Sequence, residues 1–346
     1  MGGGGSYYDR DVTSGGSRTS TGYSDFASQV TGRGSLDRSL LPLNRTLVSG
    51  CKSPLVCPLD GTGSMGTLPR ILCDKWPMIA GQIAMQKYLD DVMVSLAIVG
   101  DVESDRGPIQ TCDFAKIRDL DPWLQKLWIE GRGGGQHFES YEFMAYYYAR
   151  CYDMRNAENP MLIFTGDEGF REYLSSQKLR EHFGGEHQDV TASEIFDELK
   201  KKFKGNLFLI HRYYSGYDLD KEIVTQWTRV LGKENVVKLE TETAVGDIML
   251  GIIALASRSR TLDQYIKDME ERPLEMGGVK YEPQSKARLD EVRQSLKLLA
   301  STIKPAPKRK TVVKKTASKA TTKVDDKAGP APDKNASKKP KPGRIF

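Results

Sequence analysis

The chain has 346 residues, 38% of them apolar, with 33 Gly, 16 Pro and a mean hydropathy of −0.49. That is one large domain or two ordinary ones, too polar to be packed throughout, so a core with unstructured ends is expected. Apolar runs such as residues 92–99 and 251–256 exclude disorder over the whole length, and no run reaches the ~20 apolar residues of a membrane-spanning helix.

The formal net charge of +5 is unevenly placed. Residues 304–344 carry 14 Lys/Arg against 3 Asp, a balance of +11, and the remaining 37 basic and 43 acidic residues leave the body at −6. A nucleic-acid contact therefore has to rest on the tail. The tail alternates Lys with Ala, Ser, Thr and Pro, and its one aromatic is Phe346. It cannot stack bases, so contact would be to phosphate, weak, non-specific and salt-sensitive. A purely solubilising tail is the alternative.

Residues 1–45 are rich in Gly, Ser, Thr and Asp and read as a disordered arm. No basic and apolar leader opens them, so no secretory signal is expected. From about residue 52, short apolar runs alternate with amphipathic stretches. Residues 53–60 predict a first strand. A helix follows over 66–88, with a break expected near Pro77. A buried strand follows at 92–101 and a short edge strand at 109–114. Residues 120–129 predict a short helix, then come the glycine loop at 131–135 and a helix over 138–150. A buried strand at 160–169 precedes helices at 170–181 and 192–203. A strand at 206–211, a helix at 219–231, a strand at 236–239 and a helix at 245–257 complete the series. Strands that are apolar throughout, alternating with helices, predict an α/β fold with a doubly wound, mostly parallel sheet flanked by helices, Rossmann-like in type. Beyond it, Leu289, Val292, Leu296, Leu299 and Ile303 form a heptad seam on one helix. That helix either packs back on its own domain or binds a partner. The expected division is an arm at 1–45, a domain at 50–258, a helical extension at 259–304 and a basic tail at 305–346.

The five cysteines are odd in number, irregularly spaced and without a C-x-x-C pair. Free thiols in a reducing compartment, and so a cytoplasmic protein, are expected. His182 and His187 flank Gly184 and Gly185 and do not share a helical face, so no zinc site is expected.

In doubly wound sheets, ligands bind where loops leave the carboxyl ends of the strands. The polar residues there are Asp60, Thr62, Ser64, Asp101, Asp167 and Glu168. Asp60, Thr62 and Ser64 put a carboxylate and two hydroxyls at alternate positions in a glycine-permitted loop, able to turn toward one point. Oxygen donors of this kind suit a hard cation, Mg²⁺ before Ca²⁺. The same residues could instead make a tight turn and a helix N-cap, and Asp167 with Glu168 could cap the next helix. Pro58 is expected to mark the end of strand pairing, and Asp60 to lie in a rim loop, replaceable without loss of the fold.

Asp60-x-Thr62-x-Ser64 resembles the D-x-S/T-x-S motif of von Willebrand factor A (VWA) domains. The resemblance covers about residues 50–258. It is closest to a bacterial and phage group with a DxTGSMG first loop, a glycine run followed by ESYE (Gly133 to Glu142 here) and a TGDE strand end (Thr165 to Glu168). It implies a metal-ion-dependent adhesion site (MIDAS) binding Mg²⁺ or Mn²⁺. Thr62 and Ser64 would ligate directly, Asp60 and Asp167 directly or through water. One open position would take an acidic residue of a protein partner. Relatives of this kind imply a MoxR-type AAA+ ATPase as that partner. The family has Thr in the glycine loop, and this chain has Gln136, whose amide carbonyl can ligate Mg²⁺; Ser140 is a substitute one turn on. Enzymatic activity is not expected. An aspartyl-phosphate hydrolase needs a second Asp where Thr62 stands, and no Lys-Ser/Thr follows the glycine loop as a P-loop requires. The alternative function is a nucleic-acid-associated structural protein working through its tail.

Overall fold

The computed structural model describes residues 35–131, 137–214, 217–273, 275–276, 279–280 and 283–303. Gln136 and most of the glycine loop, much of the arm and the basic tail lie outside the described residues.

The main sheet contains β1 (Ser53–Asp60), β2 (Val92–Val99), β3 (Ile109–Thr111), β4 (Ala115–Lys116), β5 (Met161–Gly166), β6 (Leu207–Arg212) and β7 (Val236–Leu239). Its order is β7-β6-β5-β1-β2-β3, with β4 also on β2. Only β3 and β4 run antiparallel to their neighbour; the other pairings are parallel. The chain winds outward from β1 in one direction through β2, then returns to its other side with β5. The crevice between the carboxyl ends of β1 and β5 is therefore the switch point at which such sheets bind ligands.

The helices are α1 (Leu68–Gln86), α2 (Asp121–Lys126), α3 (Tyr141–Arg150), α4 (Ser176–Phe183), α5 (Ala192–Lys202), α6 (Tyr217–Leu231), α7 (Val245–Ala256), α8 (Leu262–Glu270) and α9 (Lys286–Thr302). Side chains alternate across each strand, so both faces of an apolar strand are buried. Leu55, Cys57 and Leu59 of β1 join α1, α7, α8 and α9 in one core. Val56 points the other way, into a core with α3, α5 and α6. The expected doubly wound α/β sheet is present. Val292, Leu296 and Leu299 of the heptad seam are buried in the first core, with Leu289 and Ile303 packed against it. All five cysteines are free thiols. Leu40, inside the stretch read as an arm, is fully buried, and Arg45 donates to the Thr111 carbonyl at 2.7 Å.

Three expectations differ from the structure. Pro58 does not end pairing: β1 stays in register with β2 through Asp60. Against β5, Leu55, Val56 and Leu59 have partners but Cys57 and Pro58 do not, so the missing N–H is confined to one local gap. α1 runs unbroken through Pro77, held by packing of Trp76, Met78 and Ile79 on both sides of the proline. The helix expected over 170–181 starts at Ser176. Ser175 caps it by accepting from the Lys178 N–H at 3.3 Å. Before it, Tyr173 and Leu174 pair antiparallel with Val190 and Thr191.

His211 on β6 is almost fully buried, its Nε2 3.3 Å from Asp220 Oδ1. Burial outweighs the nearby carboxylate and pushes the imidazole down to about 4. The native state thus binds fewer protons than the unfolded chain once the pH falls below the ordinary histidine value of about 6.5. Stability is expected to be full above that pH and to fall between about 6.5 and 4, by on the order of 2–3 kcal/mol. Urea midpoints of the wild type and His211→Gln at pH 7.5 and 5 check this. The substitution should flatten the pH dependence, and an equally steep loss in both proteins would refute it.

Candidate metal centre

Asp60 is the last residue of β1, and its side chain is fully buried. The Thr62 N–H and hydroxyl both donate to Asp60 Oδ1, at 2.9 and 2.6 Å. The Tyr141 hydroxyl donates to Oδ2 at 2.5 Å. Asp60 is therefore no rim-loop residue: its replacement would strip acceptors from buried donors.

The loop beyond β1 turns through a short 3-10 segment, Gly63–Met65. Thr62 precedes it without a side-chain capping bond, and Thr67, which precedes α1, makes none either. The Thr67 hydroxyl donates to Glu242 at 2.6 Å, and the hydroxyls of Thr62 and Ser64 face the crevice. Thr62 Oγ1 lies 3.1 Å from Ser64 Oγ, which donates to Asp167 Oδ1 at 3.0 Å. Asp167 directly follows β5 and is fully buried. Asp60, Thr62, Ser64 and Asp167 are thus brought together as the sequence suggested. The capping alternatives fail, because Ser175 caps α4 and Asp167 points into the crevice. Gln136 lies outside the described residues. Ser140 is engaged elsewhere: its Oγ accepts from the Val102 N–H at 2.9 Å and lies 3.4 Å from Arg171 Nη1. Asp101 pairs with Arg171 at 2.7 Å and accepts from the Glu103 N–H at 3.1 Å, which makes it a loop organiser.

Tyr141, Arg212 and Glu139 were not singled out from sequence as parts of the site, and Glu168 was named only as a polar strand end. Tyr141 opens α3 and is wedged edge-on against Trp227 and Phe164, with ring centroids 5.1 and 5.8 Å away. Gly166 must remain glycine there, since a Cβ would overlap the Tyr141 hydroxyl. Arg212, at the end of β6, contacts Asp167 Oδ2 at 3.3 Å, the Ser64 carbonyl at 3.1 Å and Glu242 at 2.9 Å. It fixes one oxygen of Asp167 and leaves the other toward Ser64. Glu139 and Glu168 are both buried, and are held side by side by the bridge between Phe138 and Gly169. A basic residue ending a buried parallel strand was the available signal for Arg212. None marked Tyr141, which is one tyrosine among several on α3.

Burial raises Asp60, against the hydrogen bonds from Thr62 and Tyr141. Burial, then the charges of Asp60 and Glu168, push Asp167 up to about 8. Glu168 rises to about 7, from burial and then Asp60. Glu139 rises to about 11, from burial and then Asp60 and Glu168. Four carboxyls raised together, with burial as the leading cause in each, form a site that lacks the positive charge needed to hold them ionised. Among the described residues, no three His, Cys, Asp or Glu side chains form a ready metal cage. The donor set here is of another kind, two hydroxyls between carboxylates. Oxygen-only donors that lack a compensating positive charge fit a hard divalent cation.

The fold and site together define a doubly wound α/β protein with a hydroxyl–carboxylate constellation at its switch point. No protein-family model and no curated protein matches the chain. Among solved structures, it is similar to the pilus adhesin SpaC from Lactobacillus rhamnosus GG in its open conformation, with 9% identity and a TM-score of 0.42 over 63% of this chain and 31% of that one. It is similar also to proximal thread matrix protein 1 from the mussel byssus with a zinc-occupied MIDAS motif, at 11% identity and a TM-score of 0.38 over 60% of this chain and 46% of that one. Conserved hypothetical protein BatB from Bacteroides thetaiotaomicron is matched at 12% identity and a TM-score of 0.36, over 60% of this chain and 99% of that one. The chain thus spans less than half the length of the first two. Among the described residues, no helix is long and apolar enough to cross a membrane.

Proposed function

We propose that this protein is a VWA-type, metal-dependent protein-binding module. The carrying observation is the line of oxygens from Thr62 Oγ1 through Ser64 Oγ to Asp167 Oδ1, at 3.1 and 3.0 Å, joining the ends of two strands 103 residues apart. These three side chains would hold Mg²⁺ or Mn²⁺, with Asp60 orienting Thr62 from behind. The cation would supply a Lewis-acidic position for a carboxylate. Thr62 and Ser64 are neutral ligands, which leaves the ion enough charge to attract an acidic residue of a partner protein. The body, at −6, repels acidic segments elsewhere. A MoxR-type AAA+ ATPase is the partner class proposed, on the resemblance of the loop motifs. The tail at +11 is proposed to add weak, salt-sensitive contact with nucleic acid.

Affinity capture by the full chain, with Mg²⁺ and with EDTA, tests the reading. Capture of an AAA+ ATPase is expected with Mg²⁺ and should vanish with EDTA or in Thr62→Ala/Ser64→Ala. Deleting residues 304–346 should leave it intact. Capture that persists in EDTA and in the double variant would sink the metal mechanism, and loss only on tail deletion would favour the nucleic-acid reading.

A further inference from the structure

Beside the proposed ligands stands a pair of glutamates that the VWA motif does not assign. Glu139 is 1% exposed and Glu168 is 4% exposed. Their carboxyls lie within hydrogen-bonding reach of each other, and Glu168 also reaches the Ser64 side chain. Their backbone is fixed: the Glu139 N–H donates to the Gly169 carbonyl at 3.0 Å, and the Trp227 indole donates to the Glu168 carbonyl at 2.9 Å. Yet among the described residues, no hydrogen-bond partner reaches Oε2 of either glutamate.

Donors and acceptors do not balance here. The Thr62 hydroxyl gives its hydrogen to Asp60, and the Ser64 hydroxyl gives its hydrogen to Asp167. None is left for Glu168, although it faces Ser64. The nearest described guanidinium on the Asp167 side, that of Arg212, is shared among Asp167, Ser64 and Glu242. Buried acceptors without donors are costly, and two carboxyls in contact cannot both ionise without a positive charge beside them. A cation bound at Ser64 would meet both deficits at once, because it needs acceptors and carries positive charge.

We propose that Glu168 is a direct ligand of the cation held by Thr62, Ser64 and Asp167, and that Glu139 is a positioning residue that holds Glu168 against it. The inference rests on the cation site proposed above. It makes the centre richer in carboxylate than the VWA motif alone implies. The ion would carry one internal acidic ligand, with which an acidic residue of a partner competes.

Full-length wild type, Glu168→Gln, Glu139→Gln and Thr62→Ala/Ser64→Ala are titrated with Mn²⁺ and followed by electron paramagnetic resonance. Their melting temperatures are measured with and without the metal. Both Gln variants keep the side-chain shape and replace a carboxyl by a neutral amide, so they should fold. Glu168→Gln is expected to weaken Mn²⁺ binding at least tenfold, and Glu139→Gln by roughly tenfold, as for groups that orient a ligand. Without metal, both should melt no lower than the wild type, because each amide brings N–H donors to a site short of them. The measured pairing is thus weaker binding without loss of metal-free stability. That combination is the signature of the proposal. Wild-type Mn²⁺ affinity in Glu168→Gln, with binding lost in the hydroxyl double variant, would overturn it and leave the cation site standing. Wild-type affinity in Glu139→Gln alone would overturn the positioning role. A lower metal-free melting temperature in both variants would mean that the pair is a proton-sharing structural contact, which also overturns it. No Mn²⁺ binding by the wild type would end the cation site and this inference together.

Discussion

Asp60→Ala should lower folding stability by about 3 kcal/mol and Mn²⁺ affinity by at least tenfold. The stability loss comes from the donors left behind. The Tyr141 hydroxyl and both donors of Thr62 point at this one buried carboxylate. With alanine all three buried donors lose their acceptor. Tyr141 cannot swing away, because Trp227 and Phe164 hold its ring. The affinity loss has another origin. Asp60 fixes the Thr62 hydroxyl hydrogen, so that the oxygen lone pairs are free to face a cation, and its carboxylate would add negative charge behind that oxygen. Asp60→Asn separates the two effects. Its carbonyl still accepts from Thr62, and its amide can donate to the Tyr141 oxygen, so it should cost about 1 kcal/mol while losing most of the metal affinity. Urea denaturation without metal and Mn²⁺ titration of the same samples read both quantities. Equal stability of Asp60→Ala and wild type would contradict the buried network, and unchanged Mn²⁺ affinity in Asp60→Asn would remove Asp60 from the site.

The two halves of this network differ in how far they could be read in advance. Asp60, Thr62 and Ser64 sit at alternating positions after an apolar strand, and Asp167 follows another. A strand end followed by polar residues is a local pattern, and the switch point follows from strand alternation. Their convergence was therefore legible. The supporting side chains were not, because their roles depend on packing between distant segments. Tyr141 reaches Asp60 across 81 positions, and Arg212 reaches the Ser64 carbonyl across 148. Glu168 was visible as a polar strand end, but its contact with Glu139 depends on the Phe138–Gly169 bridge, which no periodicity announces. Nor could residue spacing show that Ser140 is turned toward Val102.

The strands were legible for the same reason that the sheet is stable: uninterrupted apolar runs such as 92–99 have few other uses. The errors fell at prolines and caps. Pro77 suggests a break from local chemistry, yet buried neighbours on α1 override it. The helix after β5 was placed too early, at Phe170 where the structure has Ser176. Phe170 instead packs in the aromatic core against Phe196 and edge-on to Trp227, with ring centroids at 4.8 and 5.0 Å, and Ser175 supplies the true start. The heptad seam on α9 was read correctly as an apolar face, but the residues that lock it in place are charged.

Asp247→Ala is the substitution expected to damage the fold most, by about 3–5 kcal/mol. Asp247 lies on α7 and is fully buried. Arg272, just after α8, meets its Oδ1 at 2.5 Å, and Arg288 on α9 meets its Oδ2 at 3.3 Å. Both guanidinia are themselves almost fully buried. One carboxylate thus ties α7 to the segments that follow it. Burial alone would raise this carboxyl, but Arg272, Lys75 and Arg288 outweigh burial and hold it below the usual range. Because the native value is depressed, the contribution is full above the unfolded value of about 3.9 and fades only as the pH falls below it. At pH 7 the alanine variant would leave two buried guanidinia without their shared counter-charge. Arg288 retains Glu291 at 3.5 Å and the Thr243 carbonyl at 2.6 Å, which softens the loss on one side only. The triple variant Asp247→Ala/Arg272→Met/Arg288→Met removes the stranded charges together with their partner and should recover much of the stability. Urea midpoints at pH 7 decide the matter. A single variant within about 1 kcal/mol of the wild type would show that the cluster is not an anchor, and a triple variant no better than the single one would show that lost packing, not unpaired charge, is what α9 depends on.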